Sequence, residues 1–179
     1  MSDKKTYRKL TNEQLWQKCL DFHGHDCGGL TVGFKAALYA AELLDMDFSE
    51  DEEVVCIAEN DACGVDPIQV ILGCTAGKGN LIFKIQGKMA FDFYDRKTGK
   101  SLRLILKKRI KDKRKMMDME GKDLFDVTPV HFPFPEKAEL YDSHRCSSCG
   151  EETAEPFMLK KDGKKICMHC AGKDTKGGA

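Results

Sequence analysis

Three side chains that bind transition metals lie close together in the stretch FHGHDCGG, residues 22–29, at His23, His25 and Cys27. Imidazole nitrogen and thiolate sulfur are protein ligands that zinc prefers. Because alternate residues of an extended segment point the same way, all three could face one cleft. Cys63 in NDACGVD and Cys74 in GCTAGKGN lie in loops on either side of a predicted short helix. We therefore predict a core site for a transition metal, expected to be zinc, with these five residues as candidate ligands.

The same segments supply candidate catalytic groups. Cys27 is expected at the start of the second predicted helix, whose positive N-terminal end would lower the pKa of its thiol. Cys63 and Asp61 are the other candidates. Asp61 and Asp66 flank Cys63, and either carboxylate could orient a histidine or act as a general base. For Asp66 the simpler role is a helix cap, because Asp-Pro is typical of a helix start. Whether the chain is an enzyme is left open.

A second set of potential ligands lies near the C-terminus, where two C-x2-C pairs are separated by seventeen residues. Four thiolates in this arrangement are typical of a closed, tetrahedral zinc site. Between the pairs, PFMLKK, the turn Asp162-Gly163 and KKIC predict a hairpin. So small a segment cannot build a full core and needs a metal to fold. We expect a structural zinc bound by Cys146, Cys149, Cys167 and Cys170.

Composition narrows the class of protein. The chain has 179 residues, of which 41% are apolar and 32% charged, typical of a globular protein. Lys plus Arg and Asp plus Glu balance at 29 each, which argues against a general binder of polyanions. No apolar run approaches the ~20 residues that span a bilayer, and MSDKKTYRKL has no apolar signal core. We expect a cytoplasmic protein whose nine cysteines bind metal or react rather than form disulfides.

Hydrophobic periodicity predicts an α+β fold, with N-terminal helices packed on a mixed, largely antiparallel sheet. A capping box, TNEQ, begins the first helix at Thr11. The predicted helices cover 11–22, a segment ending near 44, PIQVIL before Gly73, and the charged run 107–126. The predicted strands cover 54–58, 80–86, 89–95 and 101–107, the last three as an antiparallel meander.

Three regions follow along the chain. We expect an α+β core over 1–128, a proline-rich linker over 129–142 and a small zinc-ribbon or treble-clef-like domain over 143–179. The boundary rests on Pro129, Pro133 and Pro135, which exclude a regular element there.

Three motifs carry a resemblance to a known family. In order, F-H-G-H-x-C, D-A-C-G-V-D-x-x-Q and G-C-x-x-G-K-G-N-L are similar to the E-subunit family of formylmethanofuran dehydrogenase, and a four-cysteine finger also occurs in its members. The resemblance implies metal-site roles for the positions that match its motifs: His23, His25, Cys27, Cys63 and Cys74. It also implies partnership with molybdenum or tungsten enzymes that reduce carbon dioxide onto methanofuran. Some members of the family look like stand-alone proteins, so the resemblance does not by itself fix the activity.

Three functions remain in competition. In the first, the core metal performs redox-linked or hydrolytic chemistry for a one-carbon or molybdenum/tungsten system. In the second, the chain is a non-catalytic accessory subunit or delivers metal or cofactor. In the third, the finger and the basic run KKRIKDKRK, residues 107–115, bind nucleic acid. The third is not expected, because the chain has no net positive charge and the run has no interleaved aromatic residues. A homodimer is expected.

Overall fold

The computed structural model describes residues 10–173. Residues 1–9 and 174–179 lie outside the described part. Most of MSDKKTYRKL, the segment assessed for a signal sequence, therefore lies outside it as well. The chain divides into two compact units, Met1–Lys137 and Ala138–Ala179. Within the described residues, no helix combines the length and the apolar character that crossing a bilayer requires.

The first unit alternates helices with the strands of one sheet. Its helices are α1 (Asn12–His23), α2 (Gly28–Leu44), α3 (Val65–Leu72), α4 (Lys113–Asp118) and α5 (Gly121–Leu124). Its strands are β1 (Val54–Ala58), β2 (Leu81–Phe83), β3 (Ala90–Asp95), β4 (Ser101–Leu106) and β5 (Phe125–Thr128).

Local capping sets the limits of the first two helices. The Thr11 side chain accepts a hydrogen bond from the Gln14 amide, and the Gln14 side chain accepts one from the Thr11 amide. This is the predicted capping box. Helix α1 ends at Gly24, whose φ of 86° reverses the chain in the left-handed region that favours glycine. Cys27 then caps the start of α2, and its sulfur accepts a hydrogen bond from the Leu30 amide.

The sheet has the strand order β2-β1-β3-β4-β5. Strand β1 pairs in parallel with β2 and antiparallel with β3, so that Cys56 lies opposite both Leu81 and Phe93. The predicted meander of 80–86, 89–95 and 101–107 is therefore wrong in its first strand. Helix α3 lies between β1 and β2 in sequence and returns the chain in the same direction, which makes that pair parallel. The antiparallel meander is β3-β4-β5.

The charged run after β4 also differs from its predicted form. It contains two short helices, α4 and α5, rather than one long helix. Met119 is extended between them, and the last residues pair with β4, with Leu106 opposite Phe125. Strand pairing here overrides the helical propensity of a sequence that is rich in Lys and Met.

The helices cover one face of the sheet. The main core joins α1, α2 and α3 to inward-facing strand residues such as Cys56, Phe91 and Phe93. On the opposite face, Val55, Ile57 and Tyr94 form a smaller cluster with Val130 and Phe132. The Tyr94 hydroxyl donates to the Phe132 carbonyl at 2.9 Å. Residues after β5 therefore cover this second face.

The second unit consists of two hairpins. Strands β6 (Ser143–Arg145) and β7 (Glu152–Ala154) form one, and β8 (Met158–Lys161) and β9 (Lys164–Cys167) form the other. Among its described residues, the buried cluster consists of Cys146, Ile166 and Cys167, with a few partly buried neighbours. These hairpins and their cysteines fit a zinc-ribbon-like domain. The α+β class predicted from the sequence is confirmed.

Candidate metal centres

Four side chains meet in the first unit at the ends of three elements. One ligand atom from each of His23, His25, Cys27 and Cys63 lies within 4.8 Å of those of the other three. His25 is exposed and the other three are partly buried. We call these four residues the core group. Residues from two loops far apart in sequence thus converge beside the first turn of α2.

The loop between α1 and α2 supplies three of the four side chains. His23 is the last residue of α1, and the left-handed turn at Gly24 places the His25 ring 4.3 Å from the His23 ring, centroid to centroid. Cys27 caps α2, so the Leu30 amide fixes its sulfur at 3.3 Å. His23 Nε2 lies 3.8 Å from this sulfur.

Close packing of α2 against α3 brings in Cys63. A methyl group built on Gly33 would collide with the Gly64 carbonyl oxygen, so the two backbones meet where no side chain fits. One turn earlier, a methyl group on Gly29 would lie 3.0 Å from the Cys63 Cβ atom. Sequence reasoning missed this role. The spacing of Gly29 and Gly33, one turn apart on one helix face, was the available signal.

Asp66 orients the first histidine. Its Oδ2 atom lies 2.7 Å from His23 Nδ1, and its Oδ1 atom accepts a hydrogen bond from the Gln69 side chain. The interpretation of Asp66 as a helix cap is wrong, because Gly64 is the residue that precedes α3. The contact to Asp66 leaves His23 Nε2 directed at the core group, and it raises the pKa of His23.

The two thiols of the core group differ in their pKa values. Partial burial raises the pKa of Cys27, but hydrogen bonds from the Leu30 amide, His23 and Cys63 outweigh it, and the net pKa lies below the usual value. Burial and the neighbouring Cys27 sulfur raise the pKa of Cys63. Cys27 is therefore the first of the pair to become a thiolate, the form that binds metals.

The donor set fits a transition metal. Bonds of ~2.0–2.3 Å in a tetrahedral site separate the donor atoms by roughly 3.3–3.8 Å. The 3.8 Å distance from His23 Nε2 to Cys27 Sγ agrees with that spacing. A metal-bound histidine usually donates its other ring N–H to a carboxylate, which is the arrangement of His23 and Asp66.

Two residues named from the sequence lie outside the core group. Cys74 is fully buried, its thiol donates to the Val54 carbonyl, and burial raises its pKa to about 12. It therefore packs as a neutral thiol beside β1. Asp61 is exposed and belongs to neither set of potential ligands in the described residues. The core group has four of the five candidate ligands.

Two side chains of the motif that contains Cys74 form hydrogen bonds with backbone groups of neighbouring segments. The buried Asn80 side chain donates to the carbonyls of Asp51 and Val54 at 3.0 and 2.9 Å, and it accepts from the Thr75 amide. Lys78 donates to the Ser49 carbonyl. The family motif G-K-G-N thus joins the end of α3 to the start of β1.

The four C-terminal cysteines also converge. The sulfurs of Cys146, Cys149, Cys167 and Cys170 all lie within 4.8 Å of one another. Backbone amides of Cys149 and Cys167 donate to Cys146 and lower the pKa of its thiol to about 6. Four convergent sulfurs with amide donors fit a tetrahedral metal ion.

Comparison with known protein families gives a match to the first unit. Residues 22–128, more than half of the chain, match the model of a family described as FmdE, molybdenum formylmethanofuran dehydrogenase operon.

One curated relative and one solved structure extend the comparison. A probable S-adenosyl-L-methionine-binding protein of Archaeoglobus fulgidus is 27% identical over 204 residues, which cover 92% of this chain and 54% of that protein. The chain thus spans about half the length of this curated relative. A tungsten formylmethanofuran dehydrogenase FmdE-like protein from Syntrophus aciditrophicus matches with a TM-score of 0.70 at 21% identity. That match covers 97% of this chain and 98% of the other, and it shows a shared fold.

Proposed function

Because the chain belongs to the FmdE family, we propose that its core group binds a transition metal for chemistry in a one-carbon or molybdenum/tungsten enzyme system. The family match confirms the resemblance drawn from the three motifs. Zinc is the expected metal, since two imidazoles and two thiolates are ligands it accepts. A molybdenum or tungsten enzyme is the expected partner.

The contact of Asp66 with His23 is the observation that carries this proposal. A carboxylate that accepts from Nδ1–H fixes the tautomer in which the Nε2 lone pair is free for a metal. The His23 side chain is only 10% exposed, which holds its ring in place. A histidine that merely filled the core would not need its second nitrogen aimed at two thiols.

The exposure of the site favours a reactive centre. His25 is exposed, and Cys27 and Cys63 are partly buried, so a small molecule can reach the donors. A bound divalent metal would act there as a Lewis acid or water activator. The chain's own part is to hold a thiolate at Cys27 by means of the Leu30 amide and to keep the His23 ring oriented.

For the second unit we propose a structural zinc ion. Its few buried residues cannot stabilise two hairpins alone, whereas four thiolates on one ion can. The metal then supplies the free energy of folding for residues 143–173.

Elemental analysis of the purified full chain tests both sites. We expect two metal ions per wild-type chain and one in Cys63→Ser, because that change removes a donor from the core group alone. Cys74→Ala is the matched control and should retain two, since Cys74 lies outside the group. A wild-type chain with one metal, or a Cys63→Ser chain with two, contradicts the core site.

A further inference from the structure

We propose that a cleft beside the core group binds a small organic anion, with its charged oxygens held by Arg109 and Lys111. The inference rests on the proposed function for what happens to that anion, but the binding itself does not require a metal. It gives a role to the basic run 107–115, which the metal sites do not use.

The cleft is a cavity of about 660 Å³ in the first unit, large enough for a small organic ligand. One wall is the first turn of α2, formed by Gly28 and Gly29. The facing wall comes from the segment after β4 and includes Arg109, Lys111 and Met116.

The cleft lies directly beside the core group. Gly28 and Gly29 follow Cys27 in the chain, and a methyl group built on Gly29 would lie 3.8 Å from the Cys63 sulfur. A methyl group built on the neighbouring Gly64 would lie 3.4 Å from the sulfur of Met89, which also lines the cleft. The cleft therefore adjoins the two thiols at the first turn of α2, although its lining is formed by the glycines and not by the cysteines.

The charge of the lining selects an anion. Among the described residues that line the cleft, Arg109 and Lys111 are the charged ones, and no carboxylate accompanies them. Within residues 10–173 neither cation has an ion-pair partner. Other lysines nearby do: Lys107 lies 3.8 Å from Asp126 and Lys113 lies 2.6 Å from Asp26.

The remaining lining is apolar and defines the body of the ligand. Val32, Met89, Leu106, Ile110 and Met116 face the cavity. Met side chains adapt to ligands of varied shape. The chemistry of the site therefore fits a molecule with one carboxylate or phosphate group and an apolar part. Such a cleft differs from a nucleic-acid surface, where cations follow a backbone across an open face.

Chemical-shift titration of the isotope-labelled full chain tests the proposal. The probes are benzoate, phenyl phosphate and benzamide, the last a neutral molecule with the shape of benzoate. We expect benzoate or phenyl phosphate to shift the amide signals of Gly28 and Gly29 saturably, with a Kd on the order of 1 mM. Benzamide should bind at least about tenfold more weakly, because it offers no charge. Tighter binding of phenyl phosphate identifies phosphate esters as the preferred class, and tighter binding of benzoate identifies carboxylates.

Variants assign the binding to the two cations. The double change Arg109→Gln and Lys111→Gln should weaken anion binding at least about tenfold. Lys108→Gln removes one positive charge from the same segment outside the cleft and should leave the Kd within about twofold. All three positions are exposed, so the variants should fold, and their spectra report this directly.

Three results would overturn the proposal. They are equal binding of benzamide and benzoate, equal loss in Lys108→Gln and in the double variant, and no shift at Gly28 or Gly29 with either anion. Metal analysis of the same samples separates this outcome from failure of the proposed function. A chain without core metal that still binds benzoate contradicts only the metal site, and a metal-bound chain that ignores both anions contradicts only the cleft.

Discussion

At the scale of single residues, the contact between Asp66 and His23 determines whether the His23 ring can bind a metal or only packs in the core. Asp66→Asn keeps the size of the side chain but removes the charge that polarises the ring. We expect metal affinity of the core group to fall about 10–100-fold, the usual cost of losing such a partner. Competition with a chromophoric chelator measures this. Asp61→Asn, an exposed acid nearby, is the control and should not change the affinity.

A second residue-scale prediction concerns a buried carboxyl group on the other face of the sheet. Asp92 is fully buried beside Glu59 and Arg103, and its Oδ1 atom accepts from the His131 amide. Its Oδ2 atom has no hydrogen-bond partner among the described residues. Burial raises the pKa of Asp92 above its ordinary value of 3.8.

The sign of the pH effect follows from that shift. Folding favours protonated Asp92, so the folded state binds more protons than the unfolded state between pH 3.8 and the raised folded pKa. The free energy of unfolding therefore decreases as the pH rises through this window. Asp92→Asn should remove that decrease and be more stable than the wild type at pH 7. Urea unfolding at pH 4 and pH 7 measures it, with the exposed Asp126→Asn as control. A wild type and an Asp92→Asn variant with parallel pH profiles would refute it.

At the scale of elements, the crossing of α2 and α3 positions the core group. Gly33→Ala places a methyl group against the Gly64 carbonyl and must separate the two helices. We expect a loss of roughly 1–3 kcal/mol in the free energy of unfolding. Since Cys63 moves with Gly64, the core metal should be lost as well.

Gly28→Ala is the matched control for this change. A methyl group there would meet only Met116, at 3.9 Å. It should be neutral or stabilising by up to about 1 kcal/mol, because alanine favours a helix more than glycine does. Thermal unfolding and metal analysis of both variants provide the comparison. Equal stability of the two variants would show that the close contact between Gly33 and Gly64 does not hold α2 against α3.

Local signals in the sequence were sufficient to predict where helices begin and end. The capping box at Thr11 and the glycine at position 73 define helix ends without help from the rest of the fold. The parallel partner of β1 was not predictable in this way, because pairing depends on the path of α3. Cys74 shows the same limit at the site. Its glycine-flanked loop resembles that of Cys63, and only the tertiary fold turns one thiol toward the histidines and buries the other.

At the scale of the whole molecule, the chain contains two units with different sources of stability. The first has a large apolar core, whereas the second has a cluster built mainly on its own cysteines. Cys170→Ser should therefore unfold the second unit and leave the first intact. Limited trypsin digestion followed by mass analysis should show rapid cleavage at Lys160, Lys161, Lys164 and Lys165 in the variant.

The core-site variant supplies the control for this experiment. Cys63→Ser should lose the first metal and keep the hairpin at 158–167 protected, because its thiolates are not changed. Conversely, Cys170→Ser should retain one metal per chain. Cleavage of the hairpin in both variants at the same rate would mean that the two units depend on one another.

The buried amide of Asn80 has a consequence for the chemical ageing of the protein. Hydrolysis of this amide to a carboxylate would release ammonia and replace a donor with an acceptor that faces the carbonyls of Asp51 and Val54. A nascent or heat-stressed chain with this lesion would lose the amide donor at the junction between α3 and β1, where the contact of Lys78 with the Ser49 carbonyl would remain. Molecules that carry this lesion should therefore be less stable than the undamaged molecules, which retain full metal content.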